Sequence, residues 1–358
     1  DDEKMDEEEF TNVIKDYLKE LAGSSKPKGR KHKIRQSDIV TIFSEKTGLA
    51  PKSIAKNSSS FNNFEKQMNS EIFGQEQTIS VINNALACAK AGLNDPQKPL
   101  SNFLFIGGTS VGKTFTAKKI AKYYFGNEKS YIQLNMSEYQ DKTGISKLIG
   151  ANAGYVGFEE GGLLTEFVRN NPNCVVLFDE VEKCDPKILD LLLHILDEGN
   201  TTDNLNRDVD FSNTVIVMTS NIGHNENSKR SMGFVPDKES GSSVYKKALK
   251  SHLRPELLAR IDEVIFFNNL NDNHLQKIIN QELKIIKDRL AERGLELEYH
   301  ASIKKHIFNQ VKEKNSHARQ IKNLVKSAIQ VPLSKFLVKN KKIEKISVKV
   351  VDKALSFV

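Results

Sequence analysis

The chain has 358 residues, 38% of them hydrophobic and 28% charged, enough apolar material for one large α/β core and a smaller companion domain. No stretch approaches the roughly 20 consecutive apolar residues of a membrane helix, and no charged-then-apolar leader opens the sequence, so no membrane association is expected. The formal charge is +7, and the three cysteines (Cys88, Cys174 and Cys184) lack the paired spacing of a metal site and fit a reducing compartment.

In chain order, residues 1–9 are acidic and the run from Lys26 to Arg35 is basic, rich in breakers and free of aromatic residues. Such a run is a solvated linker rather than a nucleic-acid surface, and no nucleic-acid partner is expected. The first residue is not Met, and residues 1–36 read as the tail of an upstream module, a leftover helix and a linker. A large α/β domain is expected over 37–268 and a smaller one over 269–358.

Ile79, Ile82, Leu86 and Ala89 recur at helical spacing and stop at Gly92, which predicts an amphipathic helix with a glycine end signal. A short apolar strand, Phe103 to Ile106, follows and runs into a glycine-rich loop and a helix. Further strand-like runs are Tyr131 to Leu134, Val175 to Phe178, Val215 to Thr219 and Val264 to Phe267. Helical stretches separate most of them, the pattern of a parallel sheet covered on both faces. Asp185-Pro186 reads as a cap followed by the first residue of a Leu- and Ile-rich helix ending at Gly199. Cys174, at the start of an apolar strand, reads as a small buried side chain.

After about Asn268 the pattern becomes helical. A long amphipathic helix carries Leu275, Ile278, Ile279, Ile286 and Leu290, and then come a brief strand, two more helices and an alternating run, Ile346 to Val350. The second domain is therefore expected to be mainly helical.

The chemistry is concentrated in two motifs. Gly107-Gly108-Thr109-Ser110-Val111-Gly112-Lys113-Thr114 has the spacing of a phosphate-binding loop between a strand and a helix. Its glycines let backbone N–H groups wrap phosphates, Lys113 reaches the β- and γ-phosphates, and Thr114 offers a hydroxyl to Mg²⁺. Val175-Val176-Leu177-Phe178-Asp179-Glu180 supplies the partner: Asp179 serves the metal through water, and Glu180 orients and polarises the attacking water. The cofactors expected are therefore ATP and Mg²⁺. Asn221, ending the strand from Val215, is a candidate for holding that water between the two catalytic strands, although Asn after a strand is commonly only a turn residue.

Together these residues resemble the AAA+ ATPases, and among them the second ATPase module of the Clp unfoldases of ClpA and ClpC type, from about Gln36 to the C-terminus. The resemblance rests also on Phe73-Gly74-Gln75, Ala91-Gly92-Leu93, Asn135 to Tyr139, Gly154-Tyr155-Val156-Gly157, Asp179 to Lys183, Thr219-Ser220-Asn221, Arg254-Pro255-Glu256 and Ala259 to Asp262. It implies an AAA+ large domain with a parallel sheet and a smaller, mainly helical C-terminal domain. It assigns Arg260 as an arginine finger acting on a neighbouring subunit, Arg319 as the sensor arginine of the small domain, and Ile72 and Phe73 to the adenine pocket. The pair Ala318-Arg319 is flanked by His317 and Gln320, where the family usually has Gly and Pro.

The resemblance also implies moving parts and partners. Gly154-Tyr155-Val156-Gly157 matches a pore loop whose aromatic ring grips a substrate polypeptide between glycine hinges. Met232-Gly233-Phe234, within a polar loop, is similar to the tripeptide that docks such ATPases onto a ClpP-type peptidase. Gly108 and Ser110 stand where the family usually has Pro and Gly in the phosphate loop, and Asn206 where it usually has Gly. The reading that follows is an ATP-dependent unfoldase, a homo-hexamer, threading unfolded or tagged proteins into a ClpP-type peptidase. The alternatives are a ClpB-like disaggregase without a protease partner and a non-hydrolysing nucleotide-dependent assembly module. The setting implied is the bacterial cytoplasm or an organelle of bacterial descent.

Overall fold

The computed structural model describes residues 34–35, 37–39, 41–42, 61–141, 143–151, 154, 161–222, 253–313, 318–340, 345–351 and 354–357. The first 42 residues form a unit of their own. Its described part is a short helical stretch in which the Asp38 carboxylate accepts from the Arg35 N–H at 2.9 Å. The second unit runs from Phe43 to Val358.

Five strands build the central sheet: β1 (Ser101–Ile106), β2 (Tyr131–Asn135), β3 (Val175–Asp179), β6 (Val215–Ser220) and β7 (Glu263–Phe266). The order is β2-β3-β6-β1-β7, with parallel pairing throughout. Successive side chains point to opposite faces and both faces are covered, so the inner strands β1, β3 and β6 are apolar runs while the edge strand β2 alternates. On β1, Phe103 and Phe105 point into one core while Leu104 and Ile106 point into the other. The same division holds for Val175 and Leu177 against Val176 and Phe178 on β3, and for Val215 and Val217 against Ile216 and Met218 on β6.

Helices α1 (Phe64–Glu71), α2 (Glu76–Lys90) and α3 (Lys113–Tyr124) cover one face. The other is covered by α4 (Gly144–Ile149), α5 (Leu163–Asn170), α6 (Pro186–Glu198) and the short α7 (Pro255–Leu258). The α6 boundaries follow local chemistry. The Asp185 side chain accepts from the Lys187 N–H at 2.9 Å, Pro186 opens the helix, and Gly199 closes it with φ 63°. A short antiparallel hairpin, β4 (Asn200–Thr202) and β5 (Asp208–Asp210), follows. Asn206 in its turn has φ 56°, the left-handed conformation that Asn tolerates there.

The C-terminal region has its own core, built on Ile279, Leu283, Leu297, Ile303, Ile307, Ile321 and Ile346 among others. Helix α8 (Asp272–Ala291) is followed by β8 (Glu296–Tyr299), α9 (Ala301–Glu313) and a helical run from α10 (Ala318–Val325) through a π-helical turn (Lys326–Gln330) to α11 (Val331–Lys339). The alternating run expected over Ile346 to Val350 is β9 (Lys345–Val351), and a strand missing from the sequence reading, β10 (Ala354–Phe357), pairs antiparallel with it. The domain is therefore helical with a three-stranded sheet, β10-β9-β8, along one side.

Gly199 is one position where this packing tolerates no side chain. Its N–H reaches Ile195 O at 2.9 Å, its carbonyl accepts from Phe211 N at 2.7 Å, and a Cβ built on it overlaps the Gln97 carbonyl oxygen. Gly199→Ala should lower unfolding free energy by about 1–3 kcal/mol, measured by denaturant titration, because left-handed strain adds to a backbone clash.

Candidate active site

The site forms where β1, β6 and β3 end side by side, with β6 between the other two. In a parallel sheet, loops after adjacent strands meet at the carboxyl edge. The glycine-rich loop leaves β1 and turns into α3. Gly112 caps that helix with φ 110° and makes no side-chain cap hydrogen bond, so the first-turn N–H groups face outward for an anion. Ser110 has φ 63°, a left-handed conformation that glycine adopts more readily.

Lys113 is 7% exposed, and its ammonium donates to Gly107 O at 2.6 Å, Gly108 O at 2.8 Å and Asn221 Oδ1 at 2.8 Å. Burial lowers its pKa from 10.5 to about 8; the carboxylates of Asp179, Glu182 and Glu180 oppose that shift, and Arg319 adds to it. The structure thus brings Arg319, on the first turn of α10, within electrostatic reach of the lysine.

Asp179 at the end of β3 is held from several sides. Its Oδ2 accepts from Gln133 Nε2 at 2.8 Å and from Thr114 Oγ1 at 3.4 Å, and its Oδ1 accepts from the Thr219 hydroxyl. The juxtaposed hydroxyl and carboxylate are hard oxygen donors of the kind Mg²⁺ takes, alongside phosphate and water, so the residues present fit the metal. Glu180, at φ 60° and ψ 52°, turns left-handed immediately after the strand. Its N–H donates to Thr219 Oγ1 at 3.0 Å, so one buried hydroxyl bridges both acids of the motif. The Glu180 carboxylate accepts from Asn221 Nδ2 at 3.1 Å and from Lys183 Nζ at 2.7 Å. Asn221 therefore links Lys113 on one side to Glu180 on the other, and its N–H reaches Glu182 Oε1 at 3.2 Å.

Other expected residues stand apart from this cluster. Ile72 is buried at the end of α1, and Phe73 beside it has the Lys277 ammonium 5.9 Å from its ring centroid. Arg260 is exposed and pairs through Nε with Asp197 on α6, while Arg254 pairs with Asp190 two turns earlier at 2.6 Å. Gly154 has φ 92°; Tyr155, Val156 and Gly157 lie outside the described residues, as do Met232, Gly233 and Phe234. Asn204 in the β4–β5 turn fastens the chain before Gly154, donating to Ile149 O at 3.0 Å through its N–H and to Ala151 O at 2.8 Å through its side chain. Cys174 is buried as its position suggested, and burial pushes its thiol up to about 12.

Thr219, Gln133 and Lys183 were given no role by the sequence. A Thr in an apolar strand and a Gln in a polar-facing position carry no local signal; only the neighbouring strand brings them to Asp179.

Residues 98–264 match the family described as AAA domain (Cdc48 subfamily), and residues 270–350 match the C-terminal, D2-small domain, of ClpB protein. The chain belongs to the AAA+ ATPases of the Clp family. It is 35% identical over 321 residues to a chaperone protein ClpB of Prochlorococcus marinus, covering 88% of this chain and 36% of the relative. A chaperone protein ClpB of Bacillus cereus is 37% identical over 324 residues, covering 89% and 37%. An ATP-dependent Clp protease ATP-binding subunit ClpA homolog of Guillardia theta is 37% identical over 311 residues, covering 84% and 38%. The chain spans a little over a third of the length of these relatives. Among the described residues, no helix is long and apolar enough to cross a membrane.

The depressed pKa of Lys113 sets a pH dependence. Above about pH 8 the empty site holds a neutral amine, which must take up a proton to pair with a polyanion. ATP affinity should fall as pH rises above 8, by up to about tenfold per unit. Calorimetric titration in buffers of different ionisation enthalpy should show proton uptake there, and Lys113→Ala should lose both that uptake and most of the affinity.

Proposed function

We propose that this chain is the ATP-hydrolysing module of a ClpB-type chaperone that remodels proteins without a peptidase partner. The observation that carries the reading is the match of its C-terminal domain to the ClpB small domain, joined to an ATPase domain whose acids are held for water activation. In this reading the phosphate loop and Lys113 bind the triphosphate, and the Ile72–Phe73 region receives the base. Thr114, and Asp179 through water, would hold Mg²⁺, which when bound would neutralise charge on the transferring phosphoryl group. Glu180 takes the proton of the attacking water; its two oxygens are already anchored by Asn221 and Lys183, so it is oriented before substrate arrives.

Arg260 acts in trans, which requires a ring, and a homo-hexamer is the assembly proposed. Release from its own Asp197 is part of that role. Arg319 senses the bound phosphates from the C-terminal domain, and Tyr155 grips the polypeptide being moved. The bacterial cytoplasm, or an organelle of bacterial descent, is the proposed setting. The peptidase-coupled unfoldase remains as a second reading, favoured by the relative named a ClpA homolog and by the Met232-Gly233-Phe234 segment.

The non-hydrolysing alternative is tested by steady-state turnover. Glu180→Gln should lower kcat by about 10²–10⁴ while retaining ATP binding. Arg260→Ala should lower kcat by about 10³ or more with ATP affinity preserved. Turnover surviving in Arg260→Ala removes the trans role. Recovery of a heat-aggregated enzyme by the ATP-fuelled protein, with no peptidase present, supports the ClpB-type reading. Degradation only when a ClpP-type ring is added, abolished by deleting Met232-Gly233-Phe234, supports the second.

A further inference from the structure

The two domains meet at a joint that neither motif describes. Gln75 stands at the N-terminus of α2, a position whose side chain commonly caps its own helix, yet it makes no such bond. Fully buried, it points across to the linker between the sheet core and the C-terminal core. Its Nε2 donates to Asn268 O at 2.8 Å and its Oε1 accepts from Asn268 N at 2.9 Å, so one amide pairs with the linker backbone much as a neighbouring strand does. The same Nε2 donates to Val111 O in the phosphate loop at 3.4 Å.

Three further contacts tighten the joint. Asn268 Nδ2 donates to Gly74 O at 3.2 Å, and the ring of His274, from the first turn of α8, lies against Gly74 where a Cβ has no room. At the other end of the phosphate loop, a Cβ on Gly107 would stand 3.0 Å from Cβ of Phe267, the residue before Asn268. The loop therefore touches the linker twice, directly at Gly107 and through the Gln75 amide at Val111.

We propose that Gln75 is a positioning residue that couples occupancy of the phosphate loop by a nucleoside triphosphate to the setting of the C-terminal domain, through one side-chain amide shared between Val111 and Asn268. The proposal rests on the ATPase reading above. At 3.4 Å the Val111 bond is the longest of the three, so a small movement of the loop is enough to make it or break it. The Asn268 pair is short and two-pronged, made by a fully buried Gln75 side chain to a more exposed linker residue, so a shift of the amide is passed to the linker rather than absorbed. By thermodynamic reciprocity, a linker held in one setting changes the affinity of the loop for its ligand.

Hydrogen exchange of the Asn268 to Leu275 amides, followed with and without a slowly hydrolysed ATP analogue, tests this, with binding of the analogue measured in parallel. In the unaltered protein, nucleotide should change exchange of these amides at least about fivefold. The isosteric Gln75→Met, which loses all three bonds, should exchange rapidly whether or not nucleotide is present, with kcat falling at least about fivefold at saturating ATP. Gln75→Glu, which keeps the acceptor for Asn268 N–H but loses the donor to both Asn268 O and Val111 O, should show protection between that of the unaltered protein and Gln75→Met, without the nucleotide response. This second variant serves if Gln75→Met does not fold. A nucleotide response equal to that of the unaltered protein in either folded variant overturns the coupling and leaves the ATPase reading standing. An unaltered protein that binds no analogue overturns the ATPase reading, and the coupling falls with it.

Discussion

A buried ammonium is the constraint around which the site is built. An uncompensated charge at this depth is prohibitively costly, so every donor of Lys113 must find an acceptor. Two come from the carbonyls of Gly107 and Gly108 and the third from Asn221 at the end of a different strand. That third contact ties the loop after β1 to the end of β6, and Asn221 passes the tie on to Glu180 at the end of β3. Three strand ends are thereby fixed against one another by a single charge. Even so satisfied, the lysine is held well below its ordinary pKa by burial, which is the electrostatic signature of a position prepared for an anion.

Two non-glycine residues flank this arrangement in the left-handed region, Ser110 in the loop and Glu180 after β3. Each such residue is worth roughly 1–3 kcal/mol of strain, and strain of this kind persists only where surroundings over-determine it. For Glu180 the compensation is visible. Thr219 captures its N–H, Asn221 and Lys183 capture its carboxylate, and the unusual turn carries the side chain away from the strand direction toward the phosphate loop. Without the hydroxyl of Thr219 the backbone N–H of Glu180 would lose its partner and Asp179 would lose one of its donors. The strand residue is therefore a structural part of the acid pair.

Much of this was legible in sequence, for identifiable reasons. The sheet was legible because strands buried on both faces must be continuously apolar, as Phe103 to Ile106 and Val175 to Phe178 are. The loop and the acids were legible because glycines, Lys113, Thr114, Asp179 and Glu180 stand at fixed local spacing. What escaped was non-local. Thr219 and Gln133 reach Asp179 only because the order β2-β3-β6-β1 puts their strands beside it, and no periodicity along the chain encodes that order. Gln75 stood in a motif, Phe73-Gly74-Gln75, but its pairing with Asn268 escaped for the same reason, since 193 positions separate the two. The strand β10 escaped because the four residues Ala354 to Phe357 gain their definition from β9 rather than from their own pattern.

The shape of the C-terminal domain explains how chemistry at a small loop could become movement. Helix α8 begins four residues after Asn268 and runs for 20 residues, which at 1.5 Å per residue is about 30 Å. Its first turn is fixed by a reciprocal cap, with the Asn271 side chain accepting from His274 N–H and the His274 ring accepting from Asn271 N–H. Its far half packs into the domain's own core through Leu283 and Leu290. A helix so held turns as a rod, and a rotation of about 10° at its start carries its end through about 5 Å. A small rotation at the start of this helix is thus geometrically sufficient for a large displacement of its far end. At its start this helix is joined to the sheet domain by the two-pronged Gln75–Asn268 pair and by the contacts of Asn268 and His274 with Gly74.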